Sequence, residues 1–250
     1  MHLFRIGGIP LSLHWTFLAL LAYLGWEGWT AAGWLGATWL VGFVLAAFTC
    51  VVLHELGHAL MAKRFGVSTA RIVLMPIGGM AAFDRIPRRP RQEIAIALAG
   101  PAVNVGLVLL AFVLGVRFPA DWDPLLFPIT TAEFLRHLTA VNIVMGGFNL
   151  VPVFPMDGGR VFRALLSLRW DYLTATRWAV GVAKGLGLVA IALLAVLPTE
   201  PHWMGMALFA FIIVAGELEL RNLRRQIEDE ARWRDSIARL YRDAGVPPPL

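Results

Sequence analysis

Two imidazoles and a carboxylate fall within five residues of one another in the run Val51-Val52-Leu53-His54-Glu55-Leu56-Gly57-His58-Ala59-Leu60. Four residues of helix turn the chain through about 400°, so His54 and His58 project from one face, a turn apart, and can hold one Zn²⁺. Glu55 sits one step round, placed to exchange protons with water at the metal, which is the donor set and base that zinc-assisted hydrolysis requires. Residue frequencies alone give such a pentad in roughly one chain of this length in a hundred. Here it lies in an otherwise apolar run from about Leu35 to Met61, where a charge at the centre of a membrane span costs about 2.5 to 3.5 kcal/mol. Three polar groups held at that cost need a role. The bland alternative is a pair of histidines bonded inside a helix bundle.

The composition says what surrounds them. Hydrophobic residues make up 58% of the 250 and charged residues 16%, with ten Trp and fifteen Phe, against roughly 45 to 50% and 25% for an ordinary soluble domain. The expected class is an α-helical membrane protein of about six transmembrane helices with small membrane-associated β-hairpins. A net charge of +5 could suggest nucleic acid, but the basic residues cluster in loops on one side of the expected bilayer, so no nucleic-acid partner is expected. Cys50 is the only cysteine, which excludes an intrachain disulfide. Lying four residues before His54, it is a weak fourth candidate ligand, since a catalytic zinc keeps a position open for water.

The elements that must position the pentad follow in order. Phe4 to Ser12, with its Gly-Gly-x-Pro turn, predicts a small hairpin, and no cleavable signal is expected before the first span, about His14 to Trp29. A short loop, Glu27 to Trp34, leads to a second span ending near Lys63. At 1.5 Å per residue, His58 lies roughly 8 Å and His54 roughly 14 Å from that boundary. Thr69 to Leu74 and Met80 to Phe83, joined by Pro76-Ile77-Gly78-Gly79, predict a second hairpin, followed by a basic stretch with Arg85, Arg88, Arg89 and Arg91. The third span, about Ile94 to Val116, is kinked at Pro101 and carries Asn104. The fourth, from Phe134, must unwind between Gly146 and Arg160, because Pro152 and Pro155 cannot share a regular helix; broken helices in membranes mark sites. The fifth, Ala175 to Leu197, has a snorkelling Lys184. After a Glu200-Pro201-His202 turn, the sixth ends near Glu217, so residues 1 to 220 form the membrane domain and 221 to 250 a charged helical tail. Arginine and lysine distribution puts both termini and the zinc-proximal face in the cytoplasm, in a multi-pass cell-membrane protein.

A catalytic zinc with two histidines needs a third protein ligand. Asp157 is the strongest candidate, because it lies in the unwound stretch and returns to the side of His58; Glu217 and Glu219 compete.

His54-Glu55-Leu56-Gly57-His58 together with Asn149-Leu150-Val151-Pro152-Val153-Phe154-Pro155-Met156-Asp157-Gly158 resembles the two-part signature of the site-2 protease family of intramembrane zinc metalloproteases. The turn from Pro76 to Met80 and Gly100-Pro101-Ala102-Val103-Asn104 resemble further pieces of it. The resemblance implies His54, His58 and Asp157 as ligands of one Zn²⁺ and Glu55 as catalytic acid/base. It implies substrate-positioning roles for Asn149, Asn104, Gly78 and Gly79. Its expected partners are the lipid bilayer and a single-span membrane protein such as an anti-sigma factor or membrane-tethered transcription regulator, cleaved in or near its transmembrane segment. Neither loops nor tail would hold the PDZ or CBS domains of many members. A non-catalytic metal-dependent scaffold or transporter is the alternative, and Glu55 argues against it, since metal binding alone does not need that residue.

Overall fold

Long apolar stretches broken by short glycine- and proline-rich pieces dictate helices joined by turns. In a computed structural model, which describes residues 2–6, 8–67, 69–75, 78–83, 89–120, 122–123, 130–197 and 202–243, the order is β1 (His2–Ile6), β2 (Ile9–Leu13), α1 (Trp15–Arg64), β3 (Thr69–Met75), β4 (Gly78–Phe83), α2 (Pro90–Val113), α3 (Thr131–Asn149), α4 (Asp157–Leu166), α5 (Tyr172–Val196) and α6 (Trp203–Asp243). The expected Pro76-Ile77 turn, Arg85 and Arg88, the loop over 124–129 and the Glu200-Pro201 turn lie outside the described residues. The chain divides into two compact units, Met1–Val151 with Met156–Val161, and Pro152–Pro155 with Phe162–Leu250.

In the first unit α1 is two helices joined by a kink. Ala32 (φ −149°, ψ 26°) and Gly33 (φ 60°, ψ −146°) leave helical geometry, the second in a region that glycine enters without a Cβ clash. The halves fold back on each other, with Phe17 packed edge-on against Phe48, ring centroids 4.5 Å apart. Near the bend Gly28 meets Gly36; a Cβ on Gly28 would lie 2.6 Å from the Gly36 carbonyl oxygen and 2.9 Å from Ala37 Cα. The expected loop from Glu27 to Trp34 is therefore a two-residue turn. Trp29 and Trp34 meet edge to face across it, centroids 4.6 Å apart.

The two expected hairpins merge into one four-stranded sheet of order β1-β2-β3-β4. β1 and β2 are antiparallel, as are β3 and β4, while β2 pairs parallel to β3 with Leu11 opposite Ile72. Turn residues between short apolar pieces indicate each hairpin; the parallel join, which α1 makes as the crossover, is a long-range pairing that no local signal carries. Along β2, Ile9, Leu11 and Leu13 point inward and pack with Phe17, Val52, Ala59 and Ile72.

Helix starts follow local chemistry. Pro90 opens α2 at its first turn. Thr130 and Glu133 form a capping box on α3, with Thr130 Oγ1 accepting from Glu133 N–H at 3.2 Å and Glu133 Oε2 from Thr130 N–H at 3.0 Å. Asp171 caps α5 by accepting from Thr174 N–H at 2.9 Å. α3 ends at Asn149, residues 151–156 are not helical, and α4 resumes at Asp157. The expected break is thus present, and shorter than the sequence indicates.

In the second unit Phe154, Ala179, Val180 and Leu220 form a core. Arg163, 1% exposed, lies between the rings of Phe154 and Tyr172, 5.0 and 4.8 Å from their centroids, and pairs with Glu219 at 2.9 Å. Lys184 is exposed. α6 runs unbroken from the expected sixth span into the charged tail.

Four helices among the described residues are long and apolar enough to cross a membrane: α1, α2, α5 and α6. α3 is not one of them, since Glu133, Arg136 and His137 occupy its first two turns. Large apolar side chains such as Val113, Val196 and Met204 are 83, 79 and 86% exposed, as expected where lipid is the solvent.

The glycine contact inside α1 can be tested directly. Gly28→Val should destabilise the protein by about 1 to 3 kcal/mol through overpacking, read as a lower Tm in detergent. Gly42→Ala, with nothing within 4 Å of the added Cβ, should hold or raise it. Equal Tm for the two variants would mean that the halves do not meet at Gly28.

Candidate metal centre

His54 and His58 stand on the second half of α1, facing α2, and the two helices approach closely because the facing positions are glycines. A Cβ on Gly57 would come within 2.7 Å of the Ala99 carbonyl oxygen and 2.8 Å of Val103 Cγ2. A Cβ on Gly100 would fall on His58 Nε2 and within 2.7 Å of His54 Nε2. On α3, a Cβ at Gly146 would lie 3.2 Å from Asn104 Cβ, and at the start of α4 one on Gly158 would strike the carbonyl oxygens of Leu150 and Val151. The first turn of α4 thus rests on the end of α3, which brings Asp157 to the histidines.

Three atoms converge. His54 Nε2 lies 3.2 Å and His58 Nε2 3.0 Å from Asp157 Oδ2, and the two Nε2 atoms are 3.1 Å apart. The residues are 4, 3 and 7% exposed in that order. Behind the rings, His58 Nδ1 lies 2.7 Å from the Ile96 carbonyl oxygen. A carbonyl only accepts, so His58 Nδ1 carries the proton and its Nε2 presents a lone pair. His54 Nδ1 lies 2.6 Å from Asn104 Oδ1 and donates to it in the same way.

The two nitrogens and the carboxylate oxygen therefore face one another as electron-pair donors. Asp157 Oδ2 is buried without a hydrogen-bond donor, while Arg160 Nη1 stands 3.9 Å from Asp157 Oδ1. A buried carboxylate in apolar surroundings is costly unless a cation meets it. Two imidazoles, one carboxylate and outward hydrogen bonds from both rings form a zinc donor set of the catalytic type, with three protein ligands. His54, His58 and Asp157 are the one group of this kind among the described residues.

The other expected site residues are distributed as follows. Glu55 is half-buried on α1 beside His54. Asn104 sits behind His54 rather than in open space, and its Nδ2 donates to Asn142 Oδ1 at 2.9 Å. Asn149 Nδ2 donates to the Met145 carbonyl of its own helix at 3.0 Å. Gly78 and Gly79 begin β4, paired with Met75 and Leu74. Cys50 is buried and outside the three-ligand group. Glu219 is engaged by Arg163, and Glu217 lies 3.6 Å from Arg221 Nε.

Asn142 belongs to the candidate centre and is not singled out by the sequence, while Gly100 enters there only as part of the resembling stretch from Gly100 to Asn104. A signal for Asn142 existed: Thr139, Asn142, Gly146 and Asn149 recur at helical spacing, a polar and small stripe on an otherwise apolar helix, and the first three are buried.

The chain is similar to known proteins in sequence and in fold. Residues 42–122 and 124–193 match the sequence profile of Peptidase family M50. A zinc metalloprotease of Methanocaldococcus jannaschii is 41% identical over 200 residues, which cover 76% of this chain and 52% of that protein. Stage IV sporulation protein FB of Bacillus subtilis is 28% identical over 135 residues, 54% of this chain and 43% of that one. The chain thus spans about half the length of these curated relatives. The solved structure of a site-2 protease from Methanocaldococcus jannaschii superposes with a TM-score of 0.60 at 34% identity, covering 88% of this chain and 94% of that one. With the family profile matched over more than half its length and a buried His-His-Asp centre in place, the chain belongs to Peptidase family M50, the site-2 protease family of zinc metalloproteases.

Proposed function

We propose that this protein is a zinc-dependent intramembrane endopeptidase that hydrolyses a peptide bond in or near a transmembrane segment of a membrane-tethered substrate. The observation that carries the reading is the buried convergence of His54 Nε2, His58 Nε2 and Asp157 Oδ2 within 3.2 Å, in a chain of long apolar helices. Zinc held by these residues would supply a Lewis acid that polarises the scissile carbonyl and lowers the pKa of water toward about 7. Glu55 takes a proton from the attacking water as the new C–O bond forms, and gives it to the departing amine as the C–N bond breaks in the following step. Gly100 places no side chain against the Nε2 atoms of the histidine pair, where a Cβ would compete with an ion for them.

A helical substrate must unwind before its backbone can be reached. β4 ends the sheet, and the strand that begins at Gly78 and Gly79 offers an edge to which an unwound segment could add. Asn149, at the end of α3, would assist in positioning it. The substrates fitting this chemistry are single-span regulators such as an anti-sigma factor or a membrane-tethered transcription regulator. The two halves of α1, with α2, α5 and α6, would make five crossings, and α3, too polar in its first two turns to qualify on composition, would make the sixth against α2; the clusters of Lys and Arg would place both termini in the cytoplasm.

Two measurements test this. Glu55→Gln should lower cleavage of a quenched transmembrane peptide by about 10²- to 10⁴-fold while zinc content stays at that of the unaltered protein; full turnover in that variant would remove Glu55 from the chemistry. Gly100→Ala should lose zinc as well as activity, because its Cβ occupies the histidine face, whereas Gly106→Ala, with nothing within 4 Å, should lose neither. Zinc retained at full stoichiometry by Gly100→Ala would place the ion elsewhere.

A further inference from the structure

The amides behind His54 have a direction, and it is set on α3. The Leu138 main-chain carbonyl can only accept, so the Asn142 group 2.9 Å from it is the Nδ2 amide. Asn142 therefore turns its Oδ1 toward Asn104, which must answer with Nδ2, at 2.9 Å. That leaves Asn104 Oδ1 facing His54 Nδ1 at 2.6 Å, so the ring proton sits on Nδ1 and the Nε2 lone pair faces His58 and Asp157. An amide alone does not enforce this, because rotating it by half a turn exchanges donor for acceptor with almost no change of shape. A rotated Asn104 would offer Nδ2 to His54, call for the proton on Nε2 and abolish that ligand. His58 needs no such control, since its partner is the Ile96 carbonyl, which cannot reverse.

We propose that Asn142 is a positioning residue of the metal centre, which acts through Asn104 to hold His54 in the tautomer that binds zinc. The proposal rests on the reading of His54, His58 and Asp157 as zinc ligands. Its setting fits the role: Asn104 and Asn142 are 1 and 3% exposed, so neither amide can exchange its partner for water. Gly146, one turn beyond Asn142, removes the side chain that would hold α3 away from Asn104. A buried asparagine in a membrane helix is costly unless bonded, and both of these are bonded at each end.

The test uses the full chain in detergent, with zinc affinity measured by chelator competition and the visible spectrum of the Co²⁺-loaded protein as a report on nitrogen ligation. Asn142→Leu keeps the bulk and removes both polar groups. It should weaken zinc by about 10- to 100-fold, the range for loss of an outer partner of a metal-bound histidine, and shift the cobalt bands. Asn142→Asp, whose neutral form offers the same carbonyl and donor, should bind zinc close to the unaltered protein. In a His54→Ala background, Asn142→Leu should cost nothing further. If Asn142→Leu fails to fold, Asn142→Ala makes the same comparison without added bulk. Unchanged zinc affinity in the Leu and Ala variants overturns the proposal, as does equal weakening in the Leu and Asp variants, which would make the effect one of packing. Zinc bound as tightly by His54→Ala as by the unaltered protein would instead overturn the ligand reading, and the proposal with it.

Discussion

Three electron pairs aimed at one another inside an apolar bundle make an arrangement that cannot persist without a positive charge among them. His54 Nε2, His58 Nε2 and Asp157 Oδ2 are such a set, and the surrounding structure serves to aim them. Each ring spends its proton outward, on Asn104 or on the Ile96 carbonyl, so that nothing but lone pairs points in. With the ion absent, burial would penalise the carboxylate; with it present, the same burial strengthens every contact to it. One constraint therefore accounts for the apolar surroundings and for the few polar groups within them.

The three candidate ligands come from distant parts of the chain, and what brings them together is mostly the absence of side chains. Helices in lipid gain little from burying apolar surface against one another, so close packing of small residues has to do the work. Gly57 and Gly100 let α2 reach the histidine face, Gly146 lets α3 reach Asn104, and Gly158 seats α4 on the end of α3. The break before α4 is equally necessary. Continued as a regular helix, α3 would carry Asp157 about 12 Å beyond Asn149; Pro152 and Pro155 forbid that, and the chain turns back instead.

How much of this was legible depends on the range of the signal. His54 and His58 follow from helical period, and the interruption before Asp157 from two prolines three residues apart. Both are local. The bend of α1 was expected as a loop of tryptophans, because the packing of Gly28 on Gly36, which permits a two-residue turn, depends on both halves at once. The union of the hairpins through β2 and β3 was out of reach for the same reason. Asn104 was identified as a functional residue on resemblance, yet the hydrogen bonds that fix its direction run through Leu138 and Asn142, and bond direction has no periodicity to read.

The sheet, which supplies none of His54, His58 and Asp157, still bears on their convergence through the rotation of α1. Val52, Leu56 and Ala59 pack with Ile9, Leu11, Leu13 and Ile72, while His54, Gly57 and His58 face α2. On a helical wheel these two sets lie on roughly opposite sides, so α1 is held between the strands and α2. Turning it by one residue, about 100°, would withdraw both imidazoles from Asp157 and drive polar rings toward an apolar sheet. The cost of that burial opposes the turn. Strands at the N-terminus and in the segment after α1 thus set the phase of the helix that carries His54 and His58, and the parallel pairing of β2 with β3 couples them, so that both ends of the α1 crossover are anchored to one sheet.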